Sequence, residues 1–244
     1  MAWLSVLGIP AAVYVVSITA LMFFLNKSPQ NPLLLLGVGL LTSAIYIFHR
    51  ASIESVEQMQ RRHLLSLRHK KKLLLISGVL FILATVLLAI IEPLQVLLVF
   101  TSVAGVLIYG RELVTKPLRN YLYLKPFAVG AAIASFAWVL NDCSNVVWTL
   151  GAFILLCSAD ALICDLVDYE YDVASGCHTI ASRYSRVVVW CIAGSLYLAA
   201  ACSLQMPVGW LFLLLFPVPL LMKKSLRTSV DVRPLLVLLL AWSL

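Results

Sequence analysis

Residues 145–179 read NVVWTLGAFILLCSADALICDLVDYEYDVASGCHT, an apolar stretch that runs into five acids within thirteen residues: Asp160, Asp165, Asp168, Glu170 and Asp172. At 100° per residue, Asp168 and Asp172 fall within about 60° of Asp165, so three carboxylates share one helix face. Asp160 and Glu170 point elsewhere. Three like charges at the end of an apolar helix repel one another, and burying any of them uncompensated costs roughly several kcal/mol. A cation removes both penalties. Hard oxygen ligands select Mg²⁺, which takes one or two carboxylates and leaves its remaining positions to water and phosphate oxygens. The alternative is a solvated acidic turn balanced by Arg183 and Arg186. Such a turn does not need acids aligned at spacings of three and four, so the metal site is the stronger expectation.

The rest of the chain is of one kind. Of its 244 residues, 62% are hydrophobic and 12% charged, against roughly a quarter charged in a soluble domain. A water-soluble globular protein is excluded. A crossing takes about 20 residues, so this length permits roughly eight or nine spans and no separate soluble domain. Apolar runs broken by Pro, Asn or charge place helices near 3–25, 32–49, 73–91, 93–110, 126–141, 145–164, 185–203, 206–222 and 232–244. The expected fold is an all-α, multi-span transmembrane bundle of about nine helices, with residues 1–244 forming one integral-membrane domain. Helix punctuation supports the divisions: Asn31-Pro32 opens the second helix, Glu92-Pro93 separates the third from the fourth, and Asn141-Asp142 ends the fifth. The N-terminus carries no basic region ahead of its apolar stretch, so that stretch reads as a retained span. The six cysteines include no CxxC pair and read as reduced packing residues.

Charge assigns the faces. One basic residue, Lys27, lies on one side of the nine-span map, and the other seventeen of the eighteen lie opposite. The positive-inside rule puts those seventeen, the acidic turn and the N-terminus in the cytoplasm. Lys70-Lys71-Lys72 fits contact with anionic lipid of the bilayer. Nucleic-acid binding is not expected, because the basic residues are spread over short loops without interleaved aromatics.

Beyond the acids, Gly176 suits a helix C-cap and Thr179 an N-cap. The string Asp165, Asp168, Asp172, Gly176, Thr179 resembles the second aspartate-rich motif of the UbiA family of intramembrane prenyltransferases, approximately DxxDxxxDxxxGxxT. The family usually has Asn five residues before the motif, and here Asp160 takes that place. Tyr109-Gly-Arg111 through Leu124-Lys125-Pro126 looks like the family's loop into its fifth helix, where a Lys faces the diphosphate. Arg62-His63 to Arg68-His69 resembles a basic run of some bacterial members. Nine helices with cytoplasmic acidic loops is also the family's architecture.

The resemblance implies transfer of a prenyl chain from a polyprenyl diphosphate to an aromatic or other acceptor, with Mg²⁺ as cofactor. Asp165, Asp168, Asp172 and Lys125 would carry catalysis, and Asp160 would join the three motif aspartates as a metal ligand. The family's first motif, YxxDRxxD in some members, is degenerate here: Tyr46-Ile-Phe-His49-Arg50-Ala-Ser-Ile53 lacks both acids. Tyr46, His49 and Arg50 would still face the diphosphate beside Lys125, although His49, with an ordinary pKa near 6.5, is mostly neutral at cytoplasmic pH. Glu54 and Glu57 follow on one helix face. They offer displaced carboxylates to a second Mg²⁺, or they form Arg50–Glu54 and Glu57–Arg61 pairs of a few tenths of a kcal/mol, and the simpler pairing is slightly preferred.

Two rival functions remain. A non-catalytic relative would keep the fold and bind lipid diphosphate without turnover. A carrier would use the acids for ion coupling, but there is no repeat between the halves. A CDP-alcohol phosphotransferase is disfavoured because its DxxDG pattern is missing.

The topology has a direct test. Single cysteines placed in the 50–72 or 165–184 loops of a Cys-free variant should resist an impermeant thiol reagent applied to intact cells. Labelling from outside would overturn the map.

Overall fold

The computed structural model describes residues 2–52, 60–110, 121, 123–141, 147–174, 176–204, 207–221 and 226–243. Among them are fourteen helices and no strand: α1 (Ala2–Val6), α2 (Ile9–Leu25), α3 (Pro32–Ala51), α4 (Arg61–Arg68), α5 (Lys70–Ile91), α6 (Gln95–Gly110), α7 (Leu124–Val139), α8 (Val147–Val167), α9 (Tyr169–Ala174), α10 (Ile180–Arg183), α11 (Arg186–Ser203), α12 (Val208–Leu215), α13 (Val218–Leu221) and α14 (Leu226–Ser243). The all-α expectation holds, and each of the nine predicted spans corresponds to one helix or to two in succession.

The differences have local causes. The first span is broken because Gly8 adopts φ +70°, between α1 and α2. A Cβ at Gly8 would lie 2.8 Å from the Tyr46 Cβ, so only glycine fits this turn. The eighth span is divided at Phe216-Pro217, where proline removes a backbone donor. The ninth helix begins by Leu226 rather than near 232 and draws Arg227, Asp231 and Arg233 into its turns. Among the described residues, four helices are long and apolar enough to cross a membrane: α3, α5, α8 and α11.

The chain divides into two compact units, residues 1–16 with 30–117 and residues 17–29 with 118–244. In the first, α3 packs along α5, with α6 beside both and α4 against α1. Asn31 caps α3 as the sequence suggests, its Oδ1 accepting from the Leu33 and Leu34 amides at 3.0 and 3.4 Å, with Pro32 at the first position. Val6, Ile47, Ala51 and Leu73 form a buried cluster, and the Ser77 hydroxyl donates to the Ala44 carbonyl at 2.8 Å, tying α5 to α3.

In the second unit α8 is the hub, with α7, α10, α11 and α14 all in contact with it. Its apolar window is 56% buried, against 33% or less in the other three long spans. The face of α7 that meets α8 is small: Gly130, Ala134 and Ala137 are all buried. Without a hydrophobic drive between helices in lipid, such small residues let backbones approach and gain dispersion contact. At Gly130 the approach is close enough that a Cβ would lie 2.6 Å from the Ile154 carbonyl oxygen and 2.7 Å from the Ser158 nitrogen. Asn141 stops α7 by donating its side-chain amide to the Ala137 carbonyl at 2.8 Å. Among the described residues no cysteine forms a disulfide.

Gly130→Ala should therefore force α7 off α8 and lower stability by about 1–3 kcal/mol. Gly151→Ala, where a Cβ meets nothing within 4 Å, is the control and should leave the Tm in detergent unchanged or slightly higher. Equal Tm values for the two variants would refute the close crossing.

Candidate functional site

The acidic motif occupies the end of α8, the break after it, and α9. Asp165 lies in the last turns of α8, Asp168 at the junction, and Asp172 in α9. A Schellman arrangement closes α9: the Gly176 amide donates to the Val173 carbonyl at 3.1 Å and the Cys177 amide to the Asp172 carbonyl at 2.8 Å, with Gly176 at φ +72°. Thr179 then opens α10 through a reciprocal capping box with Ser182. Both caps read from the sequence are present. They fix the backbone of Asp172 and the loop behind it.

Each motif carboxylate has a basic partner from another helix. The Lys125 ammonium, in the first turn of α7, lies 2.8 Å from Asp165 Oδ1 and 2.7 Å from Asp172 Oδ2. The side chains of Lys125, Asp165 and Asp172 are 12%, 8% and 8% exposed, so the group is largely withdrawn from water. Asp168 turns instead to Arg227 in the first turn of α14, with its Oδ2 accepting from the guanidinium at 2.6 Å. The expected common face is thus split into a pair bridged by Lys125 and a single acid held by Arg227. The helix break at Asp168 is the local cause.

Asp160 is used differently. Five residues before Asp165 on the same helix, it lies about 7.5 Å further along the axis and about 140° around it. Its Oδ1 accepts from the Tyr197 hydroxyl at 2.5 Å and from the Arg233 guanidinium. Arg233 stacks over the Tyr197 ring, 4.6 Å from its centroid, and its side chain is 1% exposed. Asp160, expected as a metal ligand, stands in the structure in an internal ion pair joining α8, α11 and α14. Arg233 leaves the set of cytoplasmic loop charges for the same reason.

The other expected residues lie in the first unit or outside the described residues. Tyr46 and His49 are half-buried on α3. Arg50, 5% exposed, donates to the Ser5 carbonyl and, at 3.0 Å, to the Ser5 hydroxyl, with its guanidinium carbon 5.2 Å from the Tyr46 ring centroid. It fastens α1 to α3. Glu54 and Glu57 fall outside the described residues.

Among the described residues, no three His, Cys, Asp or Glu side chains assemble as a metal-ligand group. The donor chemistry nevertheless fits a hard divalent ion. Asp165 Oδ2 is buried with no hydrogen-bond partner, and an ammonium already occupies a cation's place between Asp165 and Asp172. A cavity of about 230 Å³ lined by Leu166, Tyr169, Ala181, Tyr184 and Arg186 adjoins the motif without any of its carboxylates lining it. Sequence reasoning missed Arg227 and Arg233 as partners of these acids, since their basic character alone matched a cytoplasmic loop.

Fold and composition together define an all-α integral membrane protein with a UbiA-like fold. Its likeness is to the apo structure of a UbiA homologue from Aeropyrum pernix K1, at a TM-score of 0.64 and 13% sequence identity over 96% of this chain and 98% of that one. No family model matches the sequence, and no curated protein matches it.

Breaking the internal pair from one side should be costly. Arg233→Met strands the Asp160 carboxylate and should reduce stability by about 3–5 kcal/mol, whereas Arg233→Met with Asp160→Asn should recover most of the loss. Thermal unfolding of the single and double variants in detergent decides. Additive losses would show that the two side chains do not act as a pair.

Proposed function

We propose that the protein is a membrane-embedded prenyltransferase, moving a prenyl chain from a polyprenyl diphosphate to an aromatic or other acceptor with Mg²⁺ assistance. The observation that carries this reading is the cluster of Asp165, Asp172 and Lys125, with one buried Asp165 oxygen unpartnered, on a UbiA-like fold. Asp165 and Asp172 would hold the ion, with Asp168 beside them. The bound ion supplies positive charge against the leaving diphosphate.

The chain's own residues supply the rest. Lys125 sits within reach of the same space and carries a compact charge suited to phosphate oxygens. The apolar faces of the spans hold the prenyl chain in the bilayer while its charged head meets the acidic turn. Low water content around Lys125, Asp165 and Asp172 strengthens each charge interaction there and protects a developing allylic cation from hydrolysis. On the charge map, the acidic turn and the N-terminus face the cytoplasm.

A second reading is favoured by one feature, the replacement of the first-motif acids by His49 and Ile53. Under it the fold binds lipid diphosphate without turnover. Magnesium-dependent release of pyrophosphate from a prenyl diphosphate by purified protein separates the two.

Both readings require the same binding site. Asp165→Ala or Asp168→Ala should abolish Mg²⁺-dependent diphosphate binding, while Glu54→Gln with Glu57→Gln weakens it only modestly. Retention of radiolabelled pyrophosphate in equilibrium dialysis measures this. Binding that survives both aspartate substitutions would refute the metal assignment.

A further inference from the structure

We propose that Arg227 is a diphosphate-binding residue, and that it and Lys125 serve as exchangeable counter-cations. In the ligand-free site they hold the motif carboxylates; on loading they transfer to the phosphates as a divalent ion takes the carboxylates. This rests on the diphosphate-site reading above and adds to it a residue and a binding logic.

The pairs are not a by-product of the motif. Lys125 and Arg227 come from α7 and α14, 40 or more positions from the acids they meet, so two further helices are arranged to deliver them. Nor does stability account for them well, because the desolvation of two buried charges about cancels their attraction. The contrast with Asp160–Arg233 is informative. That pair is sealed, at 3% and 1% exposure, whereas Asp168 and Arg227 are each 21% exposed. The Asp168–Arg227 pair can be reached by a ligand and the sealed one cannot, with the Lys125 group between these extremes.

Charge then dictates how the site loads. The unpartnered oxygen of Asp165 invites a cation, but a divalent ion there meets the Lys125 ammonium, already 2.8 Å from the other oxygen of the same carboxylate. Like charges at such range in a partly dehydrated site repel strongly. A bare diphosphate is refused for the opposite reason, since three carboxylates against two cations leave the cluster net negative. Only the two together satisfy every group: the ion takes the carboxylates, the guanidinium forks onto phosphate oxygens and the ammonium follows as a point charge. Metal and anion binding are therefore coupled, each raising the other's affinity by the same factor.

Arg227→Gln tests this, because it should move two affinities in opposite directions. Binding of Mn²⁺ alone, read from the paramagnetic resonance of the free ion, should tighten by roughly tenfold as Asp168 is released. Pyrophosphate retention at fixed Mg²⁺, read by equilibrium dialysis, should fall by roughly tenfold. Arg227→Lys should keep most of the retention, and both variants should elute as wild type in size-exclusion chromatography. A general loss of structure lowers both affinities together, so parallel losses overturn the proposal, as does no change in either. If Asp168→Ala abolishes retention while Arg227→Gln leaves it intact, the diphosphate site stands and the exchange falls. If the wild type retains no pyrophosphate with Mg²⁺, both fall.

Discussion

An ionised carboxylate inside an apolar helix persists only beside a cation, and α8 carries two, Asp160 and Asp165, 3% and 6% exposed. Their compensation comes from outside the helix, because α8 itself contains no Lys, Arg or His. Lys125 on α7 and Arg233 on α14 supply it, and Tyr197 on α11 adds a hydroxyl. The three helices that form most of the wall around α8 are thus the three that answer its charges. The small face of α7 at Gly130, Ala134 and Ala137 permits the close crossing, and the Lys125 bridge at its first turn fixes how far α7 extends along α8.

Position along α8 separates the two acids by role. Asp160 meets an arginine that is itself sealed under an aromatic ring, an arrangement closed off from any ligand by its burial. Asp165 stands near the end of the helix, bridged by a flexible lysine and with one oxygen unpartnered. The Asp160 carboxylate adds a buried charge to a segment already rich in acids, and Arg233 cancels it locally, so the electrostatics around Asp165, Asp168 and Asp172 stay largely unaltered.

The fold was legible because its signals are local. Apolar run length, Asn31-Pro32, Glu92-Pro93, Gly176 and Thr179 each act within a few residues, and each does in the structure what its chemistry suggests. The site was legible only in part. Aspartates at spacings of three and four announce themselves, but Arg227 and Arg233 lie 59 and 73 positions from the acids they meet, and nothing in their neighbourhood distinguishes them from loop charges. Helical periodicity also assumed an unbroken helix through Asp168, whereas the break there sends Asp168 to Arg227 and leaves Asp165 with Asp172. The turn at Gly8 escaped notice because an isolated glycine in an apolar run looks like any small residue in a span.

Under the proposed function, the absence of acids at His49 and Ile53 makes the cations beside Asp165, Asp168 and Asp172 matter more. Arg50, the basic residue that survives in it, is spent on holding α1 through Ser5 and stacks on Tyr46. His49 and Ile53 offer no carboxylate. On that reading a leaving diphosphate would have to be neutralised by positive charge, and with no acids there to recruit a second metal, that charge would come from fixed protein cations. Lys125 and Arg227 are the two that already lie against the motif acids. Fixed cations neutralise without ordering solvent or recruiting an ion, yet unlike a second metal they cannot be supplied on demand, so they need carboxylate partners while the site is empty. The pairing of Asp165 and Asp172 with Lys125, and of Asp168 with Arg227, meets that need.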